Sequence, residues 1–138
     1  MAETKNDTTA ENVIPEQESE AAKLAVRIVK LADSRFAGDI KLLHVTSRTV
    51  IADYFVICTG NSSTQVRSIC DEVEFRLSED GITPARTEGL DGPLNWAVMD
   101  YSSVILHVFN SETRNFYGLE RLWSEAEEVD VTPYITAK

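Results

Sequence analysis

The chain has 138 residues, 43% of them hydrophobic and 26% charged, which suits a single globular domain with an ordinary core. Thirteen Lys+Arg against 23 Asp+Glu leave a formal net charge of -10. That balance argues against a general basic grip on nucleic acid and against a polybasic membrane-surface binder, and it favours encounter with a basic partner.

Residues 1–20 hold six acids, one Lys, and only Val13 and Ile14 as large aliphatics. Such a segment buries too little apolar surface to offset its ordering entropy, so it reads as a disordered acidic tail. It resembles neither a secretory signal nor an Arg-rich transit peptide. Residues 21–35 then carry a helical stripe of Leu24, Ile28 and Leu31 with Ala21, Ala25 and Ala32 beside it, and Gly38 as a stop signal. Residues 40–46 read as a strand and 47–52 as a turn. Residues 53–59, DYFVICT, are apolar after the first position and rich in aromatic and β-branched types, which predicts a central strand buried on both faces.

Gly60 ends that strand, and Ser62 with Gln65 forms a capping-box pattern. The helix behind it lines up Val66, Ile69, Cys70, Val73 and Leu77, and Gly81 stands where a left-handed residue closes a helix. Residues 82–86 contain Pro84 and read as an edge strand, with a glycine- and proline-bearing loop at 88–95. Residues 96–101 and 104–109 form a strand pair around a Ser102–Ser103 turn. Ser111 is the expected cap of a last helix bearing Phe116, Leu119, Leu122, Trp123 and Ala126, closed by the acids up to Asp130. The expected organisation is a tail at 1–20, a domain at 21–130 and a tail at 131–138. The fold class is α/β: one domain with a mixed sheet of about five strands flanked by helices. No run of about 18 apolar residues predicts a transmembrane helix.

The chemistry on offer is sparse. The Gly60–Ser63 junction joins a strand to a helix N-terminus, a place suited to phosphate, but it lacks the residues of a dinucleotide fingerprint or a P-loop. A nucleotidyltransferase would need paired acids beside it to hold magnesium. Glu72 and Glu74 are two apart on a helix and do not share a face. His44 and His107 lack metal-ligand spacing and read as hydrogen-bonded structural residues, so no metal or cofactor is expected. Cys58 and Cys70 form no CxxC and read as free buried thiols of a reducing cytoplasm. What remains is a surface. Trp96, Asp100, Tyr101, Phe109, Arg114, Phe116, Tyr117 and Trp123 gather in the last third, and aromatics and Arg are enriched at interface centres. Phe109, Phe116 and Trp123 are assigned to the core, whereas Trp96, Tyr101 and Tyr117 suit either a core or an exposed hairpin face.

The runs DYFVICTGNSSTQVRSI, EGLDGPLNWAVMDYSSVILHVF and RNFYGLERLW, in this order, resemble the ribosomal silencing factor (Iojap-like) family over about residues 21–123. The resemblance implies a nucleotidyltransferase-like core without catalytic acids, no enzymatic activity and a cytoplasmic location. It implies a translational repressor that binds a large-subunit ribosomal protein at the intersubunit face, blocks subunit joining under nutrient limitation, and forms homodimers. Carried onto this chain, the family's motifs fall on Trp96, Asp100 and Tyr101, on His107, and on Arg114 and Tyr117, which become the expected partner-binding residues. Ser102–Ser103 replaces the family's usual Gly-Asp turn, and Asn95 precedes the tryptophan where Asp or Gly is common. The alternative function is a nucleotide-binding or nucleotidyltransferase-like enzyme built on the Gly60–Ser63 turn.

Overall fold

A computed structural model describes residues 19–45 and 52–136. The turn expected at 47–52 lies outside them except for Ala52. Helix α1 (Glu20–Ser34) starts where the Ser19 hydroxyl accepts the Ala22 N–H at 3.0 Å. Its stripe of Ala25, Ile28, Val29 and Ala32 is buried. It ends four residues before the expected Gly38, because Phe36 takes a left-handed φ of 65° and Phe36 and Ala37 donate back to Asp33 and Ala32.

Strand β1 (Gly38–His44) runs antiparallel to β2 (Tyr54–Thr59). Next comes α2 (Ser63–Ser78), and then β3 (Arg86–Glu88), β4 (Trp96–Asp100) and β5 (Val104–Phe109). Strand β5 lies parallel to β2, and these two form the centre of the sheet with every residue buried. The unbroken apolar runs in the sequence are these two strands. The capping box at α2 forms one residue early. Ser62 accepts from the Gln65 N–H at 3.1 Å, but the Gln65 side chain accepts from Asn61 at 2.6 Å rather than from Ser62. Gly60 is required at this junction, because a Cβ there would stand 2.8 Å from Val66 Cγ2 and 3.0 Å from its backbone nitrogen.

Two segments depart from expectation. The strand expected at 82–86 begins only at Arg86, with Pro84 ahead of it, though it does occupy the sheet edge. The single last helix is two short ones, α3 (Ser111–Tyr117) and α4 (Leu119–Leu122), split by Gly118 at φ 59°. Asn110 rather than Ser111 is the cap, accepting from Thr113 at 2.8 Å. The acids expected to close that helix instead supply a sixth strand, β6 (Glu127–Val129), on the far side of β1. The register sets Leu42 opposite Val129, and side chains meet across it, Lys41 with Glu128 at 3.2 Å and His44 with Glu127 at 3.3 Å. The sheet order is β3-β4-β5-β2-β1-β6. Beyond β6, Tyr134 and Ile135 pack against the core, and Thr136 donates its N–H and hydroxyl to Asp33 at 2.8 and 2.9 Å.

The sheet separates two apolar clusters. Helices α1 and α2 cover one face, over Leu42, Val56, Cys58, Met99, Leu106 and Val108. The other face carries Phe55, Ile57, Ile105 and Phe109, and its cover is Leu119 with Trp96, Trp123 and Ala126 packed beside it. None of the described helices is long and apolar enough to cross a membrane.

Candidate docking surface

Strand alternation decides which expected site residues meet. Trp96 points to the face opposite the long helices, as do His107 and Phe109 of β5. Tyr101 belongs to the other cluster, under α1 and α2, and is only 6% exposed. Sequence spacing put it with Trp96, but an odd separation along one strand sends the two side chains to opposite sides. Asp100 shapes the hairpin: its Oδ1 accepts the Ser102 N–H at 2.8 Å, and Ser102 takes a left-handed φ of 73°.

Trp96, His107 and Tyr117 do come together. The indole stacks on Phe109 with centroids 4.8 Å apart and meets the Tyr117 ring at 4.8 Å. Its Nε1–H donates to His107 Nδ1 at 3.2 Å, which leaves the proton of the neutral imidazole on Nε2. Nε2 has no partner among the described residues. The ring is buried and packs edge-on to Phe55 at 5.1 Å, which in turn meets Trp123 at 5.2 Å. A recess beside this stack is lined by the 89–95 loop, Trp96 and Tyr117, with Asp91 as its acid.

Burial pushes the His107 imidazole down to about 4. The folded protein therefore holds it neutral, while the unfolded chain protonates near 6.5. Stability is fully present above the unfolded value and is lost as pH falls toward the folded one. Across that window the loss from this group amounts to about 3 kcal/mol. Urea unfolding of wild type and His107→Phe between pH 7 and 4 tests it: the wild-type midpoint falls more steeply with acid. Parallel curves would remove His107 as the source.

Arg114, expected on the surface, is 7% exposed. Its Nη1 donates to Thr59 Oγ1 at 2.6 Å, and its Nε and Nη2 donate to Glu120 at 3.0 and 2.8 Å. The pairing holds the Glu120 carboxyl below its ordinary range despite partial burial. The exposed groups are different ones. Phe116 is 78% exposed, Leu122 76% and Tyr117 52%, three of the five exposed large hydrophobics among the described residues. Phe116, assigned to the core from the sequence, stands outside because the Gly118 turn ends α3 and breaks the helical stripe that would have turned it inward. That glycine was the signal available in the sequence. Phe109 is fully buried as expected, and Trp123 is half-buried. In sequence the exposed acids Glu112 and Glu125 flank these helices, while Glu127 and Glu128 stand on β6 paired with His44 and Lys41.

The groups considered for catalysis are otherwise engaged. Burial pushes the Cys58 and Cys70 thiols up to about 12, which leaves almost no thiolate near neutral pH. Glu72 accepts from Arg35 at 2.9 Å and from Arg76 at 3.0 Å. Ser62 spends its hydroxyl oxygen on capping α2.

These features define a mixed α/β domain that exposes Phe116, Tyr117 and Leu122 on its two short C-terminal helices. The chain belongs to the ribosomal silencing factor family: the family profile described as "Ribosomal silencing factor during starvation" matches residues 17–138. Ribosomal silencing factor RsfS of Bacillus subtilis is 38% identical over 108 residues, covering 75% of this chain and 91% of that protein. A crystal structure from Bacillus halodurans superposes with a TM-score of 0.67 at 33% identity, covering 80% of this chain and 97% of the other. A Chromobacterium violaceum crystal structure shares the fold, with a TM-score of 0.74 at 24% identity, covering 77% of this chain and 88% of that one.

Proposed function

We propose that this protein is a cytoplasmic translational repressor that binds the large ribosomal subunit and sterically prevents the small subunit from joining it when nutrients are scarce. The reading rests on family membership together with one observation, the pair Phe116 and Tyr117 standing in solvent beside the Trp96 stack, with Leu122 exposed on the next helix. Contiguous exposed apolar groups mark interaction sites. The net charge of -10 suits a basic ribosomal protein on the intersubunit face and discourages direct nucleic-acid binding.

Phe116, Tyr117 and Leu122 supply the contact, with Trp96 beneath Tyr117, while Asp100 holds the hairpin tip at the other end of β4. His107 acts beneath the surface by orienting the indole through its 3.2 Å hydrogen bond. Blocking requires only occupancy, so no group is asked to do chemistry. Self-association through the same patch would compete with ribosome binding. Pelleting the pure protein with isolated subunits tests the reading. Recovery with the large subunit alone is expected, weakening as salt is raised. Recovery with neither subunit, or equal recovery with both, would count against it. Heat on titration with nucleoside triphosphate and magnesium would instead favour the enzymatic alternative at the Gly60–Ser63 turn.

A further inference from the structure

Helices α3 and α4 carry the exposed patch, yet little apolar burial holds them to the sheet. Arg114 is the buried residue of α3, and Leu119 is that of α4. The anchor of α3 is therefore a guanidinium. We infer that Arg114 is a positioning residue that sets the pose of Phe116, Tyr117 and Leu122, an inference that rests on the proposed docking role of that patch.

The guanidinium joins three elements. Nη1 reaches Thr59, the last residue of the central strand β2, at 2.6 Å. Nε and Nη2 both reach one oxygen of Glu120 in α4, at 3.0 and 2.8 Å. The Arg114 carbonyl also accepts the Gly118 N–H at 2.9 Å, closing α3 at the left-handed turn. Gly118 takes a φ of 59° there, a left-handed conformation that a side chain would strain. The side chain thus ties α3 to α4 and to β2, while the turn that ends α3 is closed by backbone alone and survives a substitution at 114. With its own side chain buried, Arg114 acts on a partner only through the residues it places. Lysine keeps the charge but has one nitrogen, so it cannot reach Thr59 and fork onto Glu120 together.

The test compares full-length wild type, Arg114→Lys and Glu120→Gln by pelleting with large subunits and by backbone hydrogen exchange. Arg114→Lys keeps an ion pair for Glu120 and should fold. Its binding should weaken at least tenfold, with faster exchange confined to residues 111–123 and wild-type protection in β2 and β5. Glu120→Gln should move both readouts the same way by less. Lost protection spreading through β2 and β5 would make Arg114 a plain stability residue and overturn the inference. Wild-type binding by Arg114→Lys would overturn it equally. Failure of wild type to pellet would sink the docking role instead, and the exchange pattern would still show whether Arg114 sets the pose of α3 and α4.

Discussion

Replacing Phe116 and Leu122 together with glutamate should abolish recovery with the large subunit while leaving the fold intact. Both side chains are more than three-quarters exposed, so the folded monomer loses almost no buried area. Surface changes of that kind stay within about 0.5 kcal/mol of wild-type stability. At the centre of an interface the cost is different. An anchor residue there contributes about 2 kcal/mol or more, roughly a 30-fold change in affinity. Each glutamate also adds a charge that the interface must desolvate, next to acids already present at 112 and 125. The loss should be at least 100-fold for the pair by the same arithmetic. Chemical unfolding reports the fold and pelleting reports the binding. Full binding by the double variant would move the contact elsewhere on the molecule.

Tyr101 should behave in the opposite manner. Tyr101→Glu should unfold or severely destabilise the domain, by about 3–5 kcal/mol for an uncompensated buried charge. The side chain lies in the cluster beneath α1 and α2, where burial already pushes its hydroxyl well above the ordinary tyrosine range and nearby Glu74 pushes it further. A carboxylate in that place meets the same desolvation and the same repulsion. Tyr101→Phe is the informative control. The hydroxyl is buried with no partner among the described residues, so its removal should leave stability unchanged or higher by up to about 1 kcal/mol. Urea midpoints of the three proteins decide the matter. A stable Tyr101→Glu protein that no longer binds ribosomes would return Tyr101 to the surface.

The elements that sequence patterning located well are those whose burial is continuous or strictly periodic. Strands β2 and β5 announced themselves as unbroken apolar runs, and α2 as a stripe from Val66 to Leu77 with its cap and its closing Gly81. The failures share a cause. The acids near 127 look helix-closing in isolation, and it is pairing with β1, a strand more than eighty residues earlier, that makes them a strand. The split at Gly118 depends on a backbone turn that a helical stripe does not report.

The candidate site was legible in part. Trp96 and Tyr117 were marked by residue type and do meet in space. Tyr101, which suited either a core or an exposed face, lies in the core because side-chain direction along a strand reverses at each residue, so membership of one motif does not imply one face. Arg114 was recognised as notable for the wrong reason. Its partners Thr59 and Glu120 come from different elements, and nothing local distinguishes a buried clamp from an exposed contact.

The central claim concerns exclusion rather than mere attachment, and order of addition tests it most directly. Purified large subunits would be incubated with the protein, small subunits added, and joining followed by light scattering. Joining should fall in proportion to protein bound, Phe116→Glu with Leu122→Glu should restore it, and preformed ribosomes should resist. Unimpaired joining at saturating protein, with the protein still bound to the large subunit, would contradict it.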